Sequence, residues 1–387
     1  MHEGGAGTKY LLYTVNPGEG FNLCRDVYIR AANFVNSLRQ DEDWVLVLPP
    51  WPHLYHWTSP IEQQWLTWDN FFHLPSMAAY VPSVSFDEFR RITGNQIDEL
   101  IHTQPFENPF EGGQWVEKMQ EVECGNHGNE MGWGHSEVRV RRVHCMAAQG
   151  RTDVMKPHLL NRPNVSCDHH APEPSSHRLW EWRSVLGCSQ KHDLCPTPEG
   201  CWKSLHDVII WLRSRAGRAG REVPTSGGGP FIAVHLRRRD YLVAHGDVVP
   251  SLEGVARQVN RLRSLLNIRH VFLATDAPRS EKERLRQLID GLVWFEPTLD
   301  ELHLYMDGGV AIIDQWIAAH SRHFVGTGHS TFSFRIREDR QLMGFSREST
   351  FNSLCGDKPG EEGDIISCEQ PSYWPMVEGT TPPREDL

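Results

Sequence analysis

Glu19 stands between two glycines in Asn16-Pro17-Gly18-Glu19-Gly20-Phe21-Asn22, directly after a short apolar run. Glycines admit close approach of backbone to ligand, and a carboxylate at the carboxyl end of a strand sits where open α/β sheets bind substrates. Its chemistry would be that of a general base; the plain structural alternative is an exposed glutamate in a glycine turn. A second set of polar residues lies in the other half of the chain: His235-Leu236-Arg237-Arg238-Arg239-Asp240, Thr275-Asp276, and Gly326 to Phe334. Arg237 offers a planar fork of donors suited to phosphate. Ser330-Thr331-Phe332 offers hydroxyls and backbone N–H groups at a helix start, so that together they describe a diphosphate cradle without a metal. The three arginines could instead form a solvated basic turn. Asp314 could be an exposed helix carboxylate or a partner for a base or ribose.

Two other patterns are set aside. Gly326-X-Gly328 lacks the third glycine of the dinucleotide fingerprint. Asp41-Glu42-Asp43 has the Asp-X-Asp form by which many glycosyltransferases hold a metal, but it precedes a strand instead of following one, and reads as an acidic surface turn.

The elements that must position these residues alternate. Lys9 to Val15 reads as a strand, and from Leu23 apolar residues recur at helical spacing, with Asn22 as the expected N-cap. Trp44 to Leu48 is a second strand stopped by Pro49-Pro50, which makes a βαβ start. From about Trp51 to Ser204 the periodicity dissolves among Trp, His, Pro and Cys, and no topology follows from it. After Pro230 the expected order is strand Phe231 to Leu236, helix Leu252 to Leu266, strand His270 to Ala274, helix Glu281 to Leu292, strand Val293 to Phe295, helix Gly309 to His320 and strand Phe324-Val325. Such alternation implies parallel sheets covered by helices.

With 387 residues the chain is long for one core, and two α/β domains are expected, residues 1–205 and 206–387. A net charge of −11 argues against sequence-independent binding to nucleic acid or anionic lipid. No apolar run approaches the roughly 20 residues needed to span a bilayer. Met1 to Lys9 holds no apolar signal-peptide core, so an export signal would be absent from this sequence. Nine cysteines and the sequon Asn164-Val165-Ser166 point to an oxidising compartment. Nine is odd, which leaves a thiol without an intramolecular partner, and Cys24 is the expected buried one. Cys355 and Cys368 bracket a Gly-rich loop that a disulfide could close. Cys188, His192, Cys195 and Cys201 admit a zinc reading, but without a C-x-x-C pair disulfides are favoured. The final Arg384-Glu385-Asp386-Leu387 is similar to an ER-retrieval signal.

Six ordered motifs resemble the GDP-fucose protein O-fucosyltransferase family: Tyr10 to Tyr13 leading into Asn16 to Asn22, Trp44 to Trp51 with Leu54 to Trp57, His235 to Arg238, Ala274 to Asp276, Asp307 to Trp316, and Ser330 to Arg335. The resemblance is strongest to the branch acting on thrombospondin type 1 repeats. It implies an α/β GT-B fold of two facing Rossmann-like domains, with an inverting transfer of fucose from GDP-fucose to Ser or Thr of a folded, disulfide-bonded thrombospondin type 1 repeat. It implies no required cofactor or metal, and a place in the endoplasmic reticulum lumen. Carried over by motif, Glu19 is the base and Arg237 stabilises the departing GDP. Pro17, Gly18, Glu19, Gly20, Phe21, Asn22, His235, Leu236, Arg237, Asp314, Ser330, Thr331 and Phe332 line the donor site. The family also implies a disulfide near Cys124 and Cys145, and fits Cys355 with Cys368. Residues Asn161 to Ser226 depart from the pattern, which leaves acceptor contacts there unassigned. A branch acting on EGF-like repeats, a catalytically silent module-binding protein and a nucleotide-sugar hydrolase are the competing readings.

Overall fold

The computed structural model describes residues 8–14, 20–104, 106, 108, 110–124, 139–149, 156–160, 177–181, 228–246, 248–357 and 368–371. Pro17, Gly18 and Glu19, the sequon at Asn164, the cysteines 167, 188, 195 and 201, the 205/206 boundary and the last four residues lie outside them. The chain divides into two compact units, Met1–Ser189 with Asp193–Cys201, and Gln190–His192 with Trp202–Leu387.

In the first unit the strands are β1 (Lys9–Thr14), β2 (Trp44–Leu48), β3 (Ser83–Ser85), β4 (Gln96–Gln104), the short hairpin β5 (Phe110–Glu111) and β6 (Gln114–Trp115), β7 (Lys118–Val122), β8 (Arg139–Gln149) and β9 (His177–Glu181). The main sheet runs β3-β2-β1-β9-β4-β8-β7, parallel except for β7, which is antiparallel to β8. Tyr10, Leu12, Val45, Val47, Ile97 and Leu100 pack on Phe86 and Phe89 of helix Phe86–Thr93. Ser85 caps that helix by accepting from the Glu88 N–H, and Gly94, at φ 70°, ends it.

Helix Phe21–Leu38 follows β1 as expected, but its N-cap is Gly20, and Asn22 lies inside the first turn. A Cβ on Gly20 would overlap the His56 imidazole, so close packing of that ring selects glycine there. The acidic turn before β2 is structural. Lys9 pairs with Glu42 at 2.5 Å, Lys156 with Asp41 at 2.7 Å, and the Thr8 hydroxyl donates to Asp43 at 2.7 Å. Cys124 is bonded to Cys145 at the β7–β8 edge, and Cys24 is a buried free thiol.

The second unit holds β10 (Gly229–Leu236), β11 (His270–Thr275), β12 (Leu292–Val293) and β13 (Ser321–Val325) in the order β12-β11-β10-β13, all parallel. That order is half of a Rossmann sheet, and the chain reverses direction of winding between β10 and β13. One face is covered by helices Leu252–Leu266 and Arg279–Leu288, through Val255, Val259, Leu262 and Leu285. The other is covered by Leu299–Ala319 and Thr331–Leu342, through Ile313, Ile317 and Ile336 against Phe272 and Phe324.

Three boundaries differ from the sequence expectation. The helix expected over Glu281 to Leu292 spans Arg279–Leu288, because Gly291 turns the chain at φ 77° into β12, which itself is Leu292–Val293. The helix expected from Gly309 begins at Leu299, where Thr298 and Glu301 form a capping box, and it is broken at Met306 (φ 57°, ψ 173°). A short helix, Arg239–His245, had no periodic signal. Each unit is otherwise α/β with a largely parallel sheet, as the expected fold class requires.

Candidate functional site

The carboxyl ends of β10, β11 and β13 bring the polar loops of the second unit together, at the reversal point where such sheets bind ligands. The Arg237 N–H donates to Thr327 Oγ1 at 2.9 Å, and that hydroxyl donates to the His235 carbonyl at 3.1 Å. Thr275 Oγ1 donates to the Leu236 carbonyl at 2.5 Å, and Tyr241 to the Gly328 carbonyl at 2.7 Å. The loops are therefore cross-braced by hydroxyls.

Asp276 orders all three arginines. Its Oδ2 lies 2.7 Å from Arg237 Nη1, its Oδ1 accepts the Arg238 N–H at 2.7 Å, and its carbonyl accepts Arg239 Nε at 2.7 Å. Arg237 also pairs with Asp240 at 2.6 Å. Arg238 turns away to Glu281 and the Pro250 carbonyl, a bracing role. Of the three, Arg237 has the partly exposed fork suited to phosphate. Burial raises the Asp276 carboxyl above its usual value, against the opposing pull of Arg237.

Helix Thr331–Leu342 begins beside this loop, and its N-cap Ser330 makes no side-chain bond to its own helix. The N–H groups of its first turn and the hydroxyls of Ser330 and Thr331 form a donor-rich end suited to an anion. His235 is buried, its ring stacked on Phe332 with centroids 4.3 Å apart. Burial foremost, then the charges of Arg237 and Arg337, hold its imidazole well below the usual value, so it is neutral. Leu236 is fully buried and offers the site only backbone.

Asp314 lies on helix Leu299–Ala319, and its Oδ1 is buried without a hydrogen-bond partner among the described residues. Burial pushes its carboxyl well above the usual range. A buried acceptor of this kind suits a ligand's N–H or O–H.

In the first unit, Phe21 is buried among Trp51, Trp57, Phe71 and Phe72, and Asn22 is nearly as buried. The Phe21 ring, two residues after Glu19 in sequence, is thus engaged in the core. Among the described residues, no group of three or more His, Cys, Asp or Glu is placed to hold a metal, and no helix is long and apolar enough to cross a membrane.

Sequence reasoning singled out Arg237, His235 and the Ser330 turn. It missed the bracing by Thr327, the anchoring by Asp276 and the packing of Ser333 under the loop. A hydroxyl between two glycines at a strand end, Gly326-Thr327-Gly328, was the available signal for the first.

Comparison with known proteins gives a consistent result. The GDP-fucose protein O-fucosyltransferase family profile matches residues 10–343. GDP-fucose protein O-fucosyltransferase 2 of Homo sapiens is 38% identical over 402 residues, covering 95% of this chain and 90% of the relative. The protein of the same name from Caenorhabditis elegans is 34% identical over 400 residues, with 95% and 90% covered. The crystal structure of POFUT1 in complex with GDP-fucose superposes with a TM-score of 0.52 at 18% identity, covering 90% of this chain and 97% of that one.

Proposed function

The chain belongs to the GDP-fucose protein O-fucosyltransferase family, and we propose that it transfers fucose, with inversion, from GDP-fucose to Ser or Thr hydroxyls of folded, disulfide-bonded thrombospondin type 1 repeats. The observation that carries this reading is the arginine fork of Arg237. It is aimed by Asp276 and Asp240 and tied through Thr327 to the turn that starts helix Thr331–Leu342. The curated relatives that match nearly the whole chain bear the name GDP-fucose protein O-fucosyltransferase 2, which supports fucosyl transfer to a protein acceptor.

In this scheme Glu19 takes the proton of the acceptor hydroxyl as its oxygen forms a bond to C1 of fucose. The bond from C1 to the β-phosphate oxygen breaks, and GDP leaves with the electron pair. A fixed guanidinium stabilises the charge that grows on that oxygen. Ser330, Thr331 and the first turn of their helix hold the diphosphate, and Asp314 accepts from the nucleoside. Glu19 must be basic near neutral pH, which exclusion of water around a bound acceptor would provide. The disulfides Cys124–Cys145 and Cys355–Cys368, seen among the described residues, suit an oxidising lumen, and we place the protein in the endoplasmic reticulum.

The test is labelled-fucose transfer from GDP-fucose, with chelator present, to a folded thrombospondin repeat, its reduced form and a folded EGF-like repeat, using wild type and Glu19→Ala. Transfer to the folded thrombospondin repeat alone, lost in the variant while donor binding persists, is the expected result. Transfer to the EGF-like repeat would change the acceptor class. Dependence on a divalent ion would add a metal to the scheme, and GDP-fucose binding without transfer would remove the role of Glu19.

A further inference from the structure

The imidazole Nδ1 of His235 lies 2.8 Å from the Ser333 hydroxyl, across 98 residues of sequence. His235 is 3% exposed and Ser333 is 0% exposed. The Ser333 hydroxyl has no other hydrogen-bond partner among the described residues. Were Nδ1 to donate to it, the hydroxyl proton would be buried without an acceptor, at a cost of about 1 to 3 kcal/mol. The hydroxyl therefore donates and Nδ1 accepts, which for a neutral ring puts the proton on Nε2. That nitrogen has no partner among the described residues.

The surroundings are built for this bond. Phe332 stacks on the ring at an interplanar angle of 18°, which fixes the direction of Nε2. Burial and the two neighbouring guanidiniums keep the ring neutral. Gly326 is the third part. It has no positive φ to explain its choice, yet a Cβ there would overlap both the Ser333 side chain and the Phe324 ring. The glycine makes room for both.

We propose that Ser333 is a positioning residue for the donor reaction, whose hydroxyl locks His235 as the Nε2–H tautomer so that a neutral imidazole donates to a diphosphate oxygen of the bound nucleotide sugar. The inference rests on the donor-site reading above. The opposite tautomer would present a lone pair to an anionic oxygen, and attraction would become repulsion. Phosphate binding by arginine tolerates small displacements because charge acts at a distance, whereas a neutral donor acts only when aligned.

The experiment is imidazole nitrogen–proton correlation NMR on the wild-type protein, with a His235→Gln variant to assign the ring, alongside binding of GDP and of guanosine. The expected wild-type pattern is the Nε2–H tautomer. In Ser333→Ala it shifts toward Nδ1–H, and affinity for GDP falls about tenfold while that for guanosine is kept. A wild-type Nδ1–H pattern at His235 overturns the inference. So does unchanged GDP affinity in Ser333→Ala. His235→Gln with undiminished GDP affinity overturns both the inference and the placing of the donor at this loop, whereas an effect of His235→Gln without one of Ser333→Ala overturns the inference alone.

Discussion

Arg237 Nη1 lies 2.7 Å from Asp276 Oδ2, so the guanidinium assigned to the leaving phosphate is already held by a carboxylate from the next strand. Asp276→Asn keeps the acceptor for the Arg238 N–H but turns an amide donor toward Arg237. The fork then swings or loses its anchor. Breaking a largely buried charge pair costs about 2 kcal/mol or more, roughly thirtyfold in kcat/KM. Arg237→Ala removes the fork itself and is expected to lower kcat by about 10²- to 10³-fold. Steady-state fucosyl transfer to a folded thrombospondin repeat checks both, and equal activity of Asp276→Asn and wild type would remove the anchoring role.

Asp314 gives a prediction of opposite sign for stability and binding. Its carboxyl, raised well above the usual range by burial, binds its proton more tightly in the folded than in the unfolded protein. Stability from this group is present below the usual carboxylate value and is lost as pH rises through the raised one. Asp314→Asn removes that dependence, so at neutral pH the ligand-free variant is expected to be more stable by about 1 to 3 kcal/mol. The same change weakens GDP, because the acceptor for the nucleoside becomes a mixed amide. Urea unfolding at several pH values, with GDP binding beside it, reads both; parallel pH profiles for variant and wild type would contradict it.

The C-terminal elements were legible because their signals are local. Helix Leu252–Leu266 was placed to the residue, with Ser251 at its N-cap and Asn267 in the left-handed region at its end. In the first unit β4 and β8 escaped notice because they pair through charge. Glu99 lies opposite Arg142 in register and bonds it at 3.0 Å, so polar residues occupy positions where alternation would call for apolar ones. The site divides the same way. Arg237 and Ser330 are visible as polar residues at strand ends, whereas Thr327 acquires its role only from a residue 90 positions away. The pattern Gly326-Thr327-Gly328 marks the hydroxyl but not the partner it braces.

Cys355–Cys368 braces the donor loop indirectly. Cys355 exchanges hydrogen bonds with Gln258 through both its N–H and its carbonyl, and one residue earlier the Leu354 N–H donates to the Gly326 carbonyl at 2.8 Å. The Gly326 N–H returns to the Asn352 carbonyl at 3.0 Å. Replacing both cysteines with alanine is expected to cost about 2 to 4 kcal/mol of stability. It should also raise KM for GDP-fucose by releasing the 352–355 strip. The Cys124–Cys145 pair lies on the β7–β8 edge, so its removal should lower stability without touching donor KM. Donor KM that rises equally in both double variants would refute the coupling.

Arg340 joins the end of the helix bearing Asp314 to the strand that leads into the site. Its Nη1 donates to the carbonyls of Ala319 at 2.9 Å and Ser321 at 2.7 Å, and its Nη2 to the Ser349 carbonyl at 3.0 Å. Arg340→Leu would leave buried carbonyls unpaired and is expected to cost about 3 kcal/mol or more. It should also change the acid limb. Burial, and then the Arg340 charge, hold His323 at about 4, below the usual imidazole value of about 6.5. A depressed folded value means that the unfolded chain takes the proton first, so stability is present above about 6.5 and is lost as pH falls toward about 4. With Arg340 gone the folded value rises and that loss is shallower. Urea midpoints at pH values above and within this window measure it: the variant should be weaker at the higher pH, with the gap to wild type narrowing at the lower, and a gap that widens would show that Arg340 does not act on His323.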